Sequence, residues 1–375
     1  MSTPVTRVRR TRRAAVLVAL ALLAGIVLAA CGGGDDEATK RTTTTTALAT
    51  TTTAPPPPTA PLTGLPDPSG ESVKRPAVSV KVENTAAAVP QGGLEQADVV
   101  YEEVVEGNIT RLVAMFNSQV PAVIGPVRSV RAIDPDIIWP LGGIFAFSGG
   151  APGNVDAALA APVNVITENN TDILVRNASG QPPRDAPHNL YALGPQLFGA
   201  GGQPVPPPPL FQYYLPGAPP NPLAPGVLSM HIGFDAGYDS NYTWDAPSGT
   251  WQRTFLGGPH LTVSGKQVAP NNVVVQFTQY TGEAEGSTVG EGDVWVFSDG
   301  QLRQGRWIRP DHTQPARYVD PAGQPILLRP GTTWVELLPL GNAVDVVFAP
   351  PPPPTTVPAS TVPPTTTKAK KAKNK

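Results

Sequence analysis

Along residues 62–203 the apolar positions gather in short runs bounded by Gly, Pro or Asn: Ala77–Val82, Val99–Val105, Leu112–Phe116 and Ile144–Phe147. Runs of this length and punctuation predict β-strands. Between or after them, Asp134–Leu141 and Asn154–Ala161 read as helices. Gly153 or Asn154 is placed to cap the second, because a short polar side chain there accepts a free backbone N–H. Strands alternating with helices predict an α+β or α/β layer structure for this segment.

Residues 226–349 carry a different pattern. Leu228–Phe234, Tyr242–Trp244, Trp251–Phe255, Val273–Thr278, Val294–Phe297, Arg306–Arg309, Ile326–Leu328, Trp334–Leu338 and Val344–Phe348 are short strand-like runs. The turn pairs Ser248-Gly249, Asp299-Gly300 and Ala322-Gly323 lie between several of them. With no convincing helical period, this spacing predicts a mostly antiparallel β domain. Five of the six Trp fall here (Trp244, Trp251, Trp295, Trp307 and Trp334). Rings on a sheet form either a sugar-stacking face or packing layers, and packing is the commoner role. Between the two segments, residues 204–225 hold ten prolines, and Pro serves neither an internal strand nor a helix interior.

Composition places these bodies between unusual ends. The 375 residues include 47 Pro and 37 Gly but a single Cys, so no disulfide closes within the chain and no zinc site is built on several thiolates. Five arginines lie in residues 7–13 and five lysines in residues 368–375, whereas residues 61–350 hold 15 basic against 26 acidic side chains. An acidic body with basic ends is the opposite of a nucleic-acid-binding domain, which needs its positive charge on the folded surface.

The arginines precede an uncharged apolar stretch, residues 14–30, which gives the n-region and h-region of a secretory signal. At seventeen residues it falls short of the roughly 20 that span a bilayer core. It ends in Leu28-Ala29-Ala30-Cys31 followed by Gly32, a lipobox in which Cys31 is acylated and becomes the new N-terminus. Two or three acyl chains anchor a protein stably where one does not. Thr42–Thr46, Thr50–Thr53 and Pro55–Pro58 follow with almost no large apolar residue, a composition that cannot offset its ordering entropy. The expected division is a signal peptide at 1–30, a lipid-anchored disordered tether at 31–61 and an α/β domain at 62–203. A proline-rich insert at 204–225, a β-rich domain at 226–349 and a disordered Pro/Thr tail with its lysine cluster at 350–375 complete it. The location implied is the extracytoplasmic face of the cell membrane.

No Gly-x-Ser-x-Gly, His-Glu-x-x-His or Walker-type phosphate loop is present, so no strong catalytic signature appears. The informative residues are arginines among carboxylates: Glu102, Glu103, Glu106 and Arg111 in one stretch, then Arg128 and Arg131 just ahead of a helix starting near Asp134. Two arginines beside a helix N-terminus suit a phosphate or a carboxylate, since guanidinium forks bind either bidentately and the helix end adds partial positive charge. Asp134 or Asp185 is then placed to hold a divalent cation bridging to that phosphate. The competing account, an internal Arg–carboxylate network that fixes loops, carries more weight in so acidic a segment. Arg184, Asp185, His188 and Asn189 form a polar loop, in which His188 is either a general base or a loop tie. Without a visible nucleophile, the loop tie is the expectation. No cofactor is called for by these residues.

At these same positions the chain resembles a known family. Leu62-Thr63-Gly64-Leu65, Arg75-Pro76-Ala77-Val78, GLEQADVVYEEVVEGNITRLVAMF (93–116), GPVRSVR (125–131), FSGGAP (147–152), APHNLY (186–191), NNVVVQF (271–277) and GTTWVELLP (331–339) are similar to the YerB-like bacterial lipoproteins. The resemblance spans about 62–340 and implies two adjoining domains and an envelope location, without an activity. A second similarity, to the LytR-CpsA-Psr phosphotransferases, implies Arg111, Arg128 and Arg131 on a phosphate, with magnesium near Asp98 or Asp134. The arginine–aspartate pairing of those enzymes is missing here. Two functions follow as expectations: a non-enzymatic envelope lipoprotein that binds an anionic wall component or a partner protein, or a magnesium-dependent wall-polymer phosphotransferase.

Overall fold

Most apolar runs become strands within a residue or two of their expected limits. The computed structural model describes residues 57–215, 224–234, 237–282 and 284–350. The apolar run 14–30, Cys31, most of the tether, residues 216–223 and the tail from 351 lie outside the described residues.

The first segment gives β1 (Val78–Glu83), β2 (Val99–Val105), β3 (Ile109–Phe116) and β4 (Val123–Ile124), then the short helix α1 (Asp134–Ile138) and β5 (Ile144–Ala146). Helix α2 (Pro152–Ala160), β6 (Asn164–Ile166), β7 (Leu174–Arg176), β8 (Leu190–Leu193) and α3 (Gly194–Gly199) complete it. Beyond the proline-rich insert come β9 (Val227–Ile232), β10 (Ser240–Asp245), β11 (Thr250–Phe255), β12 (Gly258–Pro259), β13 (Asn272–Tyr280) and β14 (Gly286–Ser287). Last are β15 (Gly290–Ser298), β16 (Gln301–Arg309), β17 (Arg317–Val319), β18 (Thr333–Pro339) and β19 (Val344–Phe348). The protein is therefore mostly β with few helices. Only β5–α2–β6 forms the parallel strand–helix–strand unit that an α/β reading of 62–203 expects.

Strands from both sides of the insert share one 11-stranded sheet in the order β17-β16-β15-β13-β18-β2-β3-β1-β5-β6, with β14 on β13. The junction is the parallel pairing of β18 with β2, from Thr333↔Val99 to Leu337↔Glu103. β13 and β18 are buried on both faces, as sheet centres paired in parallel are. Within 226–349 the pairings among the described residues are mostly antiparallel, as expected, apart from β13 with β18. A continuous apolar run shows that a strand is central but not which strand lies beside it, so the parallel β13–β18 and β18–β2 pairings do not follow from the pattern. A second sheet, β12-β11-β10-β9-β19, and a small third one, β4-β8-β7, flank the large one.

Each face of the large sheet has its own core. On one, Val80, Val82, Leu112, Val273 and Trp334 pack with Met230, Tyr242 and Trp251 of the second sheet. On the other, Val113, Met115, Val274 and Val335 pack with Ile137 and Ile138 of α1 and Ala158 of α2. The tryptophans are packing elements: Trp251, Trp307 and Trp334 are buried, and Trp251 lies 5.0 Å from Trp244 and 5.9 Å from Phe297 between ring centres. Part of the proline-rich insert also belongs to the core. Leu210 and Phe211 are buried, and Leu328 N–H donates to Gln212 O at 2.9 Å.

A polar network sits between the large and second sheets. Arg253 donates from Nη2 to Glu102 Oε2 and Ser240 Oγ, both at 2.7 Å, and from Nε to Tyr242 OH at 3.2 Å. Tyr242 OH donates to Glu336 Oε1 at 2.6 Å, and Trp334 Nε1 donates to Glu102 Oε2 at 3.2 Å. Glu336 stands directly beside Glu102 in the β18–β2 register. Burial, then the Glu102 charge, pushes the Glu336 carboxyl well above its usual range, so one proton and one guanidinium neutralise the two acids.

Candidate functional site

The parallel relations put the C-terminal ends of β1, β2 and β5 at one edge of the large sheet, the edge where ligands bind in open α/β sheets. Glu83, the last residue of β1, faces Arg111 of β3, which in turn faces Glu103 of β2. Beside them runs the segment 126–131. Glu83 N–H donates to Pro126 O at 2.9 Å, Arg128 N–H to Lys81 O at 2.8 Å and Val127 N–H to Leu190 O at 2.6 Å. Lying between β1 and β8, this segment brings Arg128 and His188 to the same carboxylate.

Glu83 is the hub. Its side chain is buried, yet it accepts from Thr85 Oγ1 at 2.7 Å and meets His188 Nδ1 at 2.9 Å through either oxygen. Arg128 Nε stands 3.5 Å from Glu83 Oε2, within ion-pair range but without a hydrogen bond. Arg131 donates from Nε to Glu106 Oε2 at 2.7 Å and from Nη1 to Val130 O at 2.9 Å and Ser129 O at 3.3 Å. Arg111, 6 % exposed, donates from Nη1 to that same Ser129 carbonyl at 3.2 Å, and its buried Nε has no partner. Burial first, then the charges of Arg131 and Arg128, lower Arg111 to about 10. Burial pushes the Glu106 carboxyl up, but its own backbone N–H and Arg131 outweigh this and hold it below its usual range.

A glycine loop closes this edge. After β5, Ser148 N–H donates to Arg128 O at 2.9 Å and Val130 N–H to Gly149 O at 3.0 Å. Gly149 has φ +72°, and a Cβ built there would lie 3.8 Å from Ser129 Oγ. The loop then enters α2 at Pro152, with no acidic residue in its first turn and no side-chain cap.

Below the arginines lies a buried ion cluster. Lys81 Nζ meets Asp134 Oδ1 at 2.8 Å and hydrogen-bonds Glu103, all three fully buried. Burial, then the Asp134 charge, raises the Glu103 carboxyl to about 8 against the pull of Lys81.

The structure thus brings Arg111, Arg128, Arg131 and His188 to one patch. It places the remaining sequence candidates elsewhere. Arg184 clamps Ala88 O and Pro90 O at 2.8 Å each and bonds Tyr191 OH, so it fixes a loop. Asn189 accepts from Arg176 Nη1 at 2.8 Å, and Asp185 is exposed. Asp134 spends Oδ1 on Lys81 and Oδ2 on the Arg131 N–H at 2.7 Å. Asp98 accepts from the N–H groups of Asn117 and Ser118 at 2.6 and 2.7 Å. These bonds occupy two of the three carboxylates offered as neighbours of a metal, Asp98 and Asp134, and no cluster of three His, Cys, Asp or Glu able to hold one occurs among the described residues. Lys81, Glu83 and the Gly149 loop were not picked out from sequence for this site. Their one signal is charge inside an apolar strand: in VSVKVE (78–83), Lys81 and Glu83 alternate with valines and so share a face.

A sheet whose strands come from both segments, with this arginine edge built in the first, matches two adjoining family domains. Residues 62–201 match "Protein of unknown function (DUF3048) N-terminal domain" and residues 230–335 match its C-terminal domain; the chain belongs to this family. It is similar to "Putative lipoprotein YerB" of Bacillus subtilis (strain 168), 29% identical over 311 residues that cover 76% of this chain and 88% of the relative. The crystal structure of the YerB protein from Bacillus subtilis has the same fold, with a TM-score of 0.66 at 24% identity, covering 77% of this chain and 99% of that one.

Proposed function

We propose that this protein is an exported lipoprotein, anchored through Cys31 on the outer face of the cell membrane, whose arginine edge binds an anionic component of the envelope. One observation carries the binding assignment. Arg111, Arg128 and Arg131 come from a strand, an extended segment and a turn, yet Arg111 and Arg131 donate to one carbonyl and Arg128 lies against the carboxylate facing Arg111. Guanidinium groups gathered with so few hydrogen-bonded acids attract an anion. The lipobox at 28–31 and the similarity to a Bacillus subtilis protein named as a lipoprotein support the anchor. The phosphotransferase reading loses support because Asp98 and Asp134 are engaged in internal bonds.

The test uses full-length protein in detergent and a protease-treated detergent extract of cell envelopes, separated by anion exchange. The retained, anionic fraction is expected to raise the thermal midpoint of the wild type and to leave an Arg128→Gln, Arg131→Gln variant unmoved. An equal shift in both proteins, or a shift in neither, would sink the assignment.

A further inference from the structure

An arginine-lined edge accommodates either a planar carboxylate or a tetrahedral phosphoryl group, and the two place different demands on a site. A carboxylate offers two oxygens in one plane, which a single guanidinium fork satisfies. A terminal phosphoryl group carries close to two charges and three acceptor oxygens that point apart. Charge, donor number and donor direction therefore discriminate between them.

Charge comes first. Three guanidinium groups face the patch, with ion pairs, among the described residues, to two carboxylates, Glu83 and Glu106. The third acid of the row, Glu103, is raised to about 8 and is committed to Lys81 below. The three guanidinium groups outnumber these two acids, which leaves the patch with surplus positive charge. Donor number comes next. Arg111 Nε and Arg128 Nε are both buried without a hydrogen-bond partner, at a residue 6 % exposed in the case of Arg111. Arg128 Nε already faces Glu83 Oε2 at 3.5 Å; buried donors are ordinarily satisfied, so the orphan Nε of Arg111 leaves a place for an acceptor oxygen.

Direction is set by the glycine loop. The structure gives the N–H groups of Gly149, Gly150 and Ala151 no acceptor among the described residues. The loop that carries them is tied to the arginine segment by the Ser148–Arg128 and Val130–Gly149 hydrogen bonds, and Gly150 and Ala151 are exposed. The nine-residue helix α2 begins at this loop with no acid in its first turn, which adds partial positive charge to the same side. Strand β3, the 126–131 segment and the adjoining β5–α2 loop together hold more potential donors than one planar carboxylate occupies.

Building on the anion-binding reading above, we infer that the ligand presents a terminal phosphoryl dianion, as in a phosphate monoester or the end of a pyrophosphate. Arg111, Arg128 and Arg131 hold its oxygens, with the Gly149–Ala151 N–H groups on the remaining side. His188, fixed through Nδ1 by Glu83, borders the site.

Isothermal titration of full-length protein in detergent, at fixed ionic strength, tests this with inorganic phosphate, pyrophosphate and glutarate as probes. Pyrophosphate and phosphate are expected to bind at least about tenfold more tightly than glutarate, the factor that one charge-assisted hydrogen bond supplies. Arg128→Gln with Arg131→Gln is expected to weaken pyrophosphate by more than about a hundredfold on the same scale. Arg111→Lys, which keeps the buried charge but removes the fork, is expected to weaken it by about tenfold. Circular dichroism first establishes that each variant is folded. Glutarate binding as tightly as phosphate overturns the phosphoryl assignment while leaving the anion-binding reading in place. Phosphate binding that the arginine substitutions leave unchanged puts the ligand elsewhere and overturns the inference. A folded wild type that takes up none of the three probes removes both.

Discussion

Lys81→Met isolates what the buried ion cluster contributes. The methionine keeps the stem's volume, so the cavity term is small, and the change is electrostatic. Lys81, Glu103 and Asp134 are all fully buried, and Lys81 Nζ is the charged donor to both acids. Without it, Asp134 is left with the Arg131 N–H and the neighbouring Glu103 carboxyl in a site closed to water. Breaking one partner out of a buried pair costs about 3–5 kcal/mol, a large share of the roughly 5–15 kcal/mol by which a native protein exceeds its unfolded state. Guanidinium denaturation of full-length protein is expected to show the midpoint falling by that share with the slope unchanged, since the surface exposed on unfolding stays the same. Replacing the whole cluster, Lys81→Met with Glu103→Gln and Asp134→Asn, should recover most of the loss, because removing a complete buried pair is close to neutral. A cost below about 1 kcal/mol for Lys81→Met alone, the range of solvent-exposed pairs, would refute the claim that these acids are desolvated and depend on the ammonium.

Two further outcomes follow from the buried acids. Arg253→Met strands Glu102 between the sheets and removes the cation set 4.5 Å from the Phe255 ring and 4.7 Å from the Trp334 ring; a loss of about 3–5 kcal/mol is expected in the same denaturation assay, and no change in midpoint would contradict it. Glu103 is raised from 4.5 to about 8, so between those values the folded state holds a proton that the unfolded state releases. Its stabilising contribution is complete below about pH 4.5 and is lost as pH rises toward about 8; Glu103→Gln should flatten the stability profile across that window, and a profile identical to wild type would count against the shift.

The elements were legible where burial leaves a local mark. Alternating or continuous apolar runs located β1, β2, β13 and β18 nearly to the residue, and α1 starts at Asp134 as expected but ends at Ile138 rather than Leu141. Pairing was not legible. Val99–Val105 and Thr333–Pro339 are separated by more than half the chain, and nothing in either run says that they lie side by side. The proline-rich insert misled for a related reason: its prolines exclude regular structure, but Leu210 and Phe211 among them still reach the core. At the site, the arginines were found from their own chemistry, whereas His188 was read as a loop tie. Its place beside Glu83 depends on Val127 bridging β1 and β8, a tertiary fact with no sequence signature.

One residue couples the arginine edge to the core beneath it. The Lys81 carbonyl accepts the Arg128 N–H at 2.8 Å. Its ammonium holds Asp134, whose other oxygen accepts the Arg131 N–H at 2.7 Å. The backbone of Lys81 thus anchors the main chain at one arginine, and its side chain, through Asp134, anchors the main chain at the next. A pair of surface arginines without such a mount would lose rotamer freedom on gripping an anion, at about 0.5–1.5 kcal/mol for each side chain ordered. For Arg131 much of that ordering is already present, since its side chain is held by Glu106, Ser129 O and Val130 O. Under the proposed anion-binding role, this gives the buried charge cluster, a poor source of stability in itself, a reason to sit beneath the edge. Under this account Lys81→Met disturbs anion binding even where the protein remains folded, through Arg131 more than through Arg128, because only the side-chain half of the mount is removed.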